Sequence, residues 1–218
     1  MIRTNNYQLP KIENLIVPES TFDKYEIEHV GVEPILFQTG YLTIKEVIRK
    51  EFIFYKLYYP NLEVKQSLLD YLFASYIGKK PGEEIVTIVK LKNYLIEEKI
   101  DEFFKTIKGI ISGIPYEILV NKEDYYNSLI YTILSLVGIE CNFKLMTNIG
   151  RLDCALEFKD KVYIFEFKLN STGQQGIKQI KEKKYYEKYL NSKKLYIVGV
   201  SIDTKIKNIK NWKYEILT

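Results

Sequence analysis

Two acids and a lysine stand out in the C-terminal half of the sequence, because they interrupt segments that are otherwise apolar. Asp153 lies in "IGRLDCALEF", and Glu166 and Lys168 lie in "KVYIFEFKLN". Carboxylate oxygens are hard ligands that select Mg²⁺ or Mn²⁺. A lysine beside them can orient or deprotonate a water, or stabilise the negative charge that develops on a phosphate. These residue types together indicate metal-assisted hydrolysis of a phosphodiester.

Strand geometry determines whether the three side chains can act together. Residues of a strand alternate between faces with period two, so Asp153 and Ala155 share one face of the first predicted strand. Glu166 and Lys168 share one face of the second. Matching the two faces requires a loop of two or four residues around Asp160-Lys161, and it pairs Asp153 with Lys168 and Ala155 with Glu166. Asp153 and Glu166 then become diagonal neighbours, with Cβ atoms about 7–8 Å apart.

A charged strand face is most often simply solvated, and the hairpin by itself does not exclude that interpretation. Val162 and Ile164, however, lie on the same face as Glu166 and Lys168. Their presence indicates that another element covers this face and removes its charges from water. A carboxylate in such a place is stabilised by a nearby cation. The pattern therefore favours a metal site over a wet surface.

Glu123 is the third candidate acid, near the start of the predicted helix 121–138. With about 100° between successive residues, it is in line with an apolar stripe and can point at the sheet. The stripe consists of Tyr126, Ile130, Leu134 and Val137. A glutamate in the first turn of a helix is also stabilised by the helix dipole, by about 0.3–1 kcal/mol. Both the functional and the structural interpretation of Glu123 stay open.

The surrounding pattern predicts two parts, a small N-terminal α+β module at 1–80 and an α/β domain at 81–218, separated by the Gly-Lys-Lys-Pro-Gly tract at 78–82. The module should contain a strand or short helix at 35–44, an aromatic strand at 51–60 and a helix capped by Asn61. The domain should contain helices at 88–111 and 121–138, strands near 140–147, 151–158 and 162–169, a Lys-rich helix at about 173–190, a strand at 194–202 and a short element around Trp212. This order favours a mixed sheet.

Composition places the chain among globular proteins, since 46% of its 218 residues are hydrophobic. Residues 141–218 carry sixteen basic and eight acidic side chains, within a total net charge of +4. This local excess suits a polyanion such as nucleic acid, although a Lys-rich solvated surface explains it equally well. The candidate phosphate contacts are Arg151, Lys178, Lys181 and Lys184.

Several other classes of protein are disfavoured. Cys141 and Cys154 are too few for a disulfide framework and lack the spacing of a zinc site. His29, the single histidine, has no companion for Cys-His or Ser-His catalysis. The N-terminal residues lack a signal-peptide core, and no apolar run reaches the span of about 20 residues that a membrane requires. We expect a cytoplasmic protein that does not enter a membrane.

The arrangement of Asp153 followed by Glu166-Phe167-Lys168 at the end of an apolar strand resembles the signature of the PD-(D/E)XK nuclease superfamily, which has the restriction-endonuclease-like fold. Longer segments resemble the nuclease domain of a bacterial family in which that domain usually follows an AAA-ATPase-like domain. They are "YYNSLIYTILSLVGIE", "TNIGRLDCALEFKDKVYIFEFKLN" and "IKQIKEKKYYEKYLNSKKLYIVGVSID". The segments "LFQTGYLTIKEV" and "YYPNLEVKQSLLDYL" resemble the linker that joins the two domains in that family.

The resemblance implies an αβββαβ core with a mixed central sheet flanked by helices, and a Mg²⁺-dependent (or Mn²⁺-dependent) nuclease. Asp153, Glu166 and Glu123 would be metal ligands, Lys168 the catalytic lysine, and Gln179 the polar residue that the following helix places near the site. The substrate would be nucleic acid, with DNA favoured over RNA. A homodimer or a protein partner is compatible with this assignment.

Two features depart from the family pattern. Asn127 stands where relatives often have histidine, and the sequence contains no G-x-x-x-x-G-K-[ST] phosphate loop, so an ATP-driven role does not transfer. The alternative function is a catalytically silent module that keeps the nuclease fold and binds nucleic acid or a protein partner for regulation. The intact set of Asp153, Glu166 and Lys168 favours the enzyme.

Overall fold

The computed structural model describes residues 15–22, 31–78, 82, 85–114, 123–137, 140–143, 146–147, 150–151, 154–184, 186–190 and 193–217, with the backbone alone for 123–128, 140–143, 146–147, 150–151 and 188. The chain divides into two compact units, Met1–Leu72 and Phe73–Thr218. The domain boundary at 78–82 stays a prediction.

The first unit contains a small antiparallel sheet with strand order β1-β3-β2. Its elements are β1 (Leu15–Pro18), α1 (Val32–Gln38), β2 (Thr43–Arg49) and β3 (Ile53–Tyr58). Helix α2 (Leu62–Ile77) begins in this unit, and the Asn61 side chain caps it by accepting a hydrogen bond from the Val64 amide at 2.8 Å. The predicted N-cap is confirmed. The helix ends before Gly78, whose φ of 71° suits glycine.

The second unit begins with three helices, α3 (Ile85–Ile96), α4 (Ile100–Ser112) and α5 (Glu123–Val137). The prediction of a single helix over 88–111 is wrong, because the chain turns at Glu98, which has a φ of 62°. A tertiary contact supports the break. The Lys161 ammonium donates to the Ile96 carbonyl at 2.9 Å and so satisfies a backbone acceptor at the end of α3.

The central sheet of the second unit has five strands in the order β10-β9-β8-β7-β4. They are β4 (Glu140–Phe143), β7 (Cys154–Glu157), β8 (Lys161–Leu169), β9 (Lys194–Asp203) and β10 (Asn208–Leu217). Strands β8 and β9 are parallel and the other neighbours are antiparallel, so the sheet is mixed. Helix α6 (Gly173–Glu182) connects β8 to β9. The order α5, β4, β7, β8, α6, β9 confirms the predicted αβββαβ core, to which β10 adds a long edge strand around Trp212.

Several predicted elements have the wrong extent. The segment 35–44 contains the end of α1 and the start of β2, and the strand expected near 140–147 is divided between β4 of the central sheet and β5 (Met146–Thr147). The short element expected around Trp212 is the ten-residue strand β10. The strand expected over 151–158 has its ends in different sheets, because β6 (Gly150–Arg151) pairs with β5 (Met146–Thr147) whereas β7 belongs to the central sheet. The helix expected to reach residue 190 ends at Glu182, and Lys184 has a φ of 49°. This turn accompanies the burial of Tyr189, whose hydroxyl donates to Glu157 at 2.8 Å.

The hairpin between β7 and β8 has the predicted even loop but a different register. Ala155 lies opposite Ile164 and not Glu166, and the two-residue loop is 159–160 rather than 160–161. The predicted pairing with Glu166 is therefore wrong by two residues. Face matching fixes only whether odd positions meet even ones, and a shift of two residues preserves that match.

The buried position of Lys161 accounts for the observed register. Its side chain is 7% exposed, and its ammonium also contacts Glu98 at 3.0 Å, so this lysine belongs to the strand and not to the turn. The loop predicted around Asp160-Lys161 included this lysine, whereas the structure places it at the start of β8. The other predicted pair, Asp153 with Lys168, involves a residue outside the described ranges, since Asp153 is not among them.

Both faces of β8 are covered. One face joins a cluster beneath α6, formed by Ala155, Val162, Ile164, Ile177, Ile180, Tyr189, Leu195 and Ile197. On the other face Phe165 contacts Phe103 and Phe104 of α4, with ring centroids 6.4 and 6.1 Å apart. A strand buried on both faces leaves its polar side chains in an apolar surrounding, where they require partners.

Candidate active site

Glu166 lies on the face of β8 that α6 covers, and it is 2% exposed. Val162 and Ile164 precede it on the same face and are fully buried against Ile177 and Ile180 of the helix. The sequence prediction that this face is covered is confirmed. Glu166 is therefore a carboxylate at the end of an apolar layer and not part of a solvated strand.

Glu166, Lys168 and Gln179 form a closed triangle of hydrogen bonds. The Lys168 ammonium donates to Glu166 Oε1 at 2.9 Å and to Gln179 Oε1 at 2.5 Å. The Gln179 amide nitrogen also donates to Glu166 Oε1. The Lys168 side chain is 24% exposed, against 2% for Glu166, so solvent reaches the triangle on the lysine side.

The two ends of the Gln179 carboxamide bind partners of opposite charge. Its oxygen accepts from the ammonium, and its nitrogen donates to the carboxylate, so both halves of the amide are used according to their charge preference. The Lys168 ammonium supplies the opposite charge that the buried carboxylate of Glu166 requires. The triangle is thus held by charge-assisted hydrogen bonds between β8 and α6.

Three side chains fix the start of α6, one just before the helix and two from the neighbouring strands β9 and β10. The Thr172 hydroxyl accepts from the Gln175 amide at 3.3 Å, which caps the helix. Asn211 of β10 accepts from the Gly173 amide at 3.0 Å, and Ser201 of β9 donates to the Ser171 carbonyl at 2.7 Å. The helix therefore leaves the sheet at a defined point, two turns before Gln179.

Three of the predicted site residues have no described side chain. Asp153 lies outside the described residues. Glu123 is the first residue of α5 and Arg151 ends β6, and only the backbone of each is described. Among the side chains that the structure does describe, no three His, Cys, Asp or Glu residues form a group that could hold a metal. Any metal centre at Glu166 would therefore require carboxylates from outside this described set.

The three lysines predicted to contact phosphate are exposed and each has an acidic neighbour. Lys178 lies 3.6 Å from Glu182, Lys184 lies 3.2 Å from Glu187, and Lys181 is paired with Glu215. Exposed pairs of this kind contribute about 0–1 kcal/mol. The lysines can therefore exchange these carboxylates for a phosphate at little cost.

A second charged cluster lies at the opposite end of β8 and was not anticipated from the sequence. Glu98 accepts from Lys194 at 2.6 Å and from Lys161 at 3.0 Å. The hydrogen bonds from Lys194 and Lys161 lower the pKa of Glu98 to about 2. The cluster fixes the turn between α3 and α4 on the sheet. Its members are distant in sequence, so no local pattern could have revealed it.

No helix in the described ranges is long and apolar enough to cross a membrane.

The geometry can be compared with known proteins. A family model of the PD-(D/E)XK nuclease superfamily matches residues 121–212, which include α5, the central strands to β9 and the triangle. An uncharacterized protein in the vnfD 5′ region of Azotobacter chroococcum mcd 1 is 28% identical over an alignment 218 residues long. The alignment covers 95% of this chain and 42% of the relative. The chain thus spans less than half of that relative. The second unit has the restriction-endonuclease-like α/β fold.

Proposed function

We propose that the protein is a Mg²⁺-dependent or Mn²⁺-dependent nuclease that hydrolyses phosphodiester bonds, with DNA favoured over RNA. The observation that supports this most directly is the triangle of Glu166, Lys168 and Gln179 at the buried end of β8. It lies inside the segment that matches a nuclease superfamily. The buried acid and the partly exposed lysine face the same edge, which is the arrangement that this chemistry requires.

The proposed metal ligands are Glu166, Asp153 and Glu123. Their carboxylate oxygens are the donors that Mg²⁺ and Mn²⁺ prefer. Glu166 fits a cation site, because its buried oxygen Oε1 already contacts a positively charged group. When bound, such a metal polarises a phosphate oxygen and lowers the pKa of a coordinated water. This is the chemistry for which the three acids are proposed.

Lys168 acts in this proposal as a hydrogen-bond donor to the reacting phosphate and its attacking water. Its ammonium contacts Glu166 and Gln179 and is partly exposed, so it can also reach a group that enters from solvent. In hydrolysis the water oxygen forms a bond to phosphorus and loses a proton to solvent, the bond to the leaving oxygen breaks, and the leaving oxygen takes up a proton from solvent. An ammonium placed there stabilises the negative charge that develops on the phosphate oxygens.

Gln179 is proposed as a positioning residue. It contacts both Glu166 and Lys168 and lies on a different element, so it fixes the direction of the lysine relative to the acid. Arg151, Lys178, Lys181 and Lys184 are proposed to contact the phosphate backbone of the substrate. Cytoplasmic location, the linker-like module at 1–80, the family with an AAA-ATPase-like domain, and a homodimer or protein partner stay predictions.

The test is cleavage of plasmid, linear and single-stranded DNA, and of RNA, with Mg²⁺ or Mn²⁺. Replacing a group that stabilises the transition state typically lowers the rate by about 10²–10³-fold, and we expect at least the lower figure for Asp153→Ala and for Lys168→Ala. Lys205→Ala is the matched control, because it removes an exposed lysine of the same unit that is not proposed to contact the substrate, and it should cleave at the wild-type rate.

Two results would contradict the proposal. The first is a wild-type protein that cleaves none of these substrates, and the second is an Asp153→Ala variant that cleaves as fast as wild type. Nucleic-acid binding that depends on salt and survives both the Asp153 and the Lys168 substitution would instead support the catalytically silent module.

A further inference from the structure

Three glycines lie where α6 contacts the sheet, next to the proposed site. Gly173 and Gly176 are on the helix face that meets the sheet, and Gly199 is on β9, paired directly with Glu166 of β8. None of the three has a positive φ. Left-handed backbone conformation, which often explains a glycine, therefore does not explain these. Close approach of two backbones is the remaining reason.

The contacts leave no room for a Cβ atom at any of the three positions. A Cβ on Gly176 would lie 2.8 Å from the Gly199 Cα and 3.0 Å from the Glu166 carbonyl oxygen. A Cβ on Gly173 would lie 2.6 Å from the Gly199 carbonyl oxygen and 2.9 Å from the Lys213 amide nitrogen. These neighbours are backbone atoms, which cannot rotate away as a side chain can. An added methyl group must therefore lift the helix from the sheet.

The distance between α6 and the sheet determines whether Gln179 can form its hydrogen bonds with Glu166 and Lys168. Gln179 lies three residues after Gly176, about one turn along α6, and its amide reaches both Glu166 and Lys168 from the helix side. The Gln179 Oε1 to Lys168 Nζ distance is 2.5 Å, so the contact is fully closed at the present spacing. A helix raised by even a fraction of an ångström at Gly176 would lengthen these hydrogen bonds or break them.

We infer that Gly176 and Gly199 are positioning residues that set the spacing between α6 and β8 and, through Gln179, fix Lys168 against Glu166. This inference rests on the proposed nuclease function for its effect on rate, while its structural part does not depend on that function. According to this inference, the glycines position the side chains of the proposed site in addition to packing the helix against the sheet.

The test compares Gly176→Ala with Gly109→Ala. Both glycines lie in helix interiors, where alanine is the better helix former, but a Cβ on Gly109 would meet no atom of the described residues within 4 Å. Displacing a catalytic group by about 1 Å can cost about 100-fold in rate, and we expect a loss of that order for Gly176→Ala with Mg²⁺. Gly109→Ala should cleave at the wild-type rate.

A double-substitution cycle separates positioning from general packing. In a Gln179→Ala background, Gly176→Ala should lower the rate by less than about threefold, because the two changes act through one contact. The second readout is the side-chain amide signal of Gln179 in a ¹H–¹⁵N spectrum, assigned by its loss in Gln179→Ala. Gly176→Ala should shift this signal, and Gly109→Ala should leave it unchanged.

The inference is overturned if Gly176→Ala keeps the wild-type amide signal of Gln179. It is also overturned if Gly176→Ala lowers the rate as much in the Gln179→Ala background as it does in the wild type. If Gly176→Ala does not fold, Gly173→Ala takes its place with the same expectations. Failure of both variants to fold would also overturn the inference, since the glycines would then be required for folding itself. If the wild type cleaves nothing, the nuclease proposal fails, and the amide signal still decides whether the glycines set the spacing.

Discussion

The coupling free energy between the charges of Glu166 and Lys168 measures most directly how strongly burial removes the site from water. We consider Glu166→Gln, Lys168→Met and the double variant, all without added metal. At the Nζ to Oε1 distance of 2.9 Å, two unit charges attract by about 6 kcal/mol with an effective dielectric constant of 20. Desolvation of a carboxylate that is 2% exposed opposes this attraction.

The net coupling between the two charges should therefore be about 2 kcal/mol, within the range of about 1.5–3 kcal/mol for hydrogen bonds to charged groups. Each single substitution leaves one charge without its oppositely charged partner, and the double variant should be more stable than the sum of the two losses predicts. Lys178 and Glu182 form the control pair, with side chains 72% and 60% exposed. Their coupling should be below about 0.5 kcal/mol.

Urea unfolding followed by tryptophan fluorescence measures this coupling. Trp212 is the single tryptophan of the chain and stacks on Phe104, with ring centroids 5.4 Å apart, so its signal reports on the second unit. In about 1 M salt, where the Debye length is about 3 Å, the control coupling should vanish and the coupling at Glu166 should persist. Equal couplings for the two pairs, or equal sensitivity to salt, would refute the view that Glu166 is desolvated.

Two further predictions concern the contacts that attach the end of α3 and the turn after it to the central sheet. Glu98→Gln should lower the free energy of unfolding by about 1–2 kcal/mol near neutral pH. The folded pKa of Glu98, about 2, lies below the ordinary value of 4.5, so the difference from wild type should be complete above pH 4.5 and disappear as the pH falls toward 2. Urea unfolding across this range checks it, and a difference independent of pH would contradict it. Tyr163→Phe removes a buried hydroxyl that donates to the Leu95 carbonyl at 2.6 Å and should cost about 1 kcal/mol. Tyr214→Phe, at a residue 39% exposed, should leave the stability of the second unit unchanged.

The errors of the sequence interpretation have a common cause. The break at Glu98, the end of α6 at Glu182 and the register of β7 with β8 all depend on partners that are distant in sequence. Lys161 illustrates this, because it reads as a turn residue and is instead buried by contacts with Ile96 and Glu98. Local periodicity carries no information about such partners.

The sequence by itself determined the order of the core elements and the face of β8 on which Glu166 and Lys168 lie. Period-two alternation is a property of the backbone, and the apolar neighbours Val162 and Ile164 identify the covered face. The tertiary structure decided which groups meet there. Gln179 reaches Glu166 and Lys168 because Gly176 and Gly199 let α6 approach the sheet at that height. Distances between elements are set by packing, and no local pattern in a single sequence contains them.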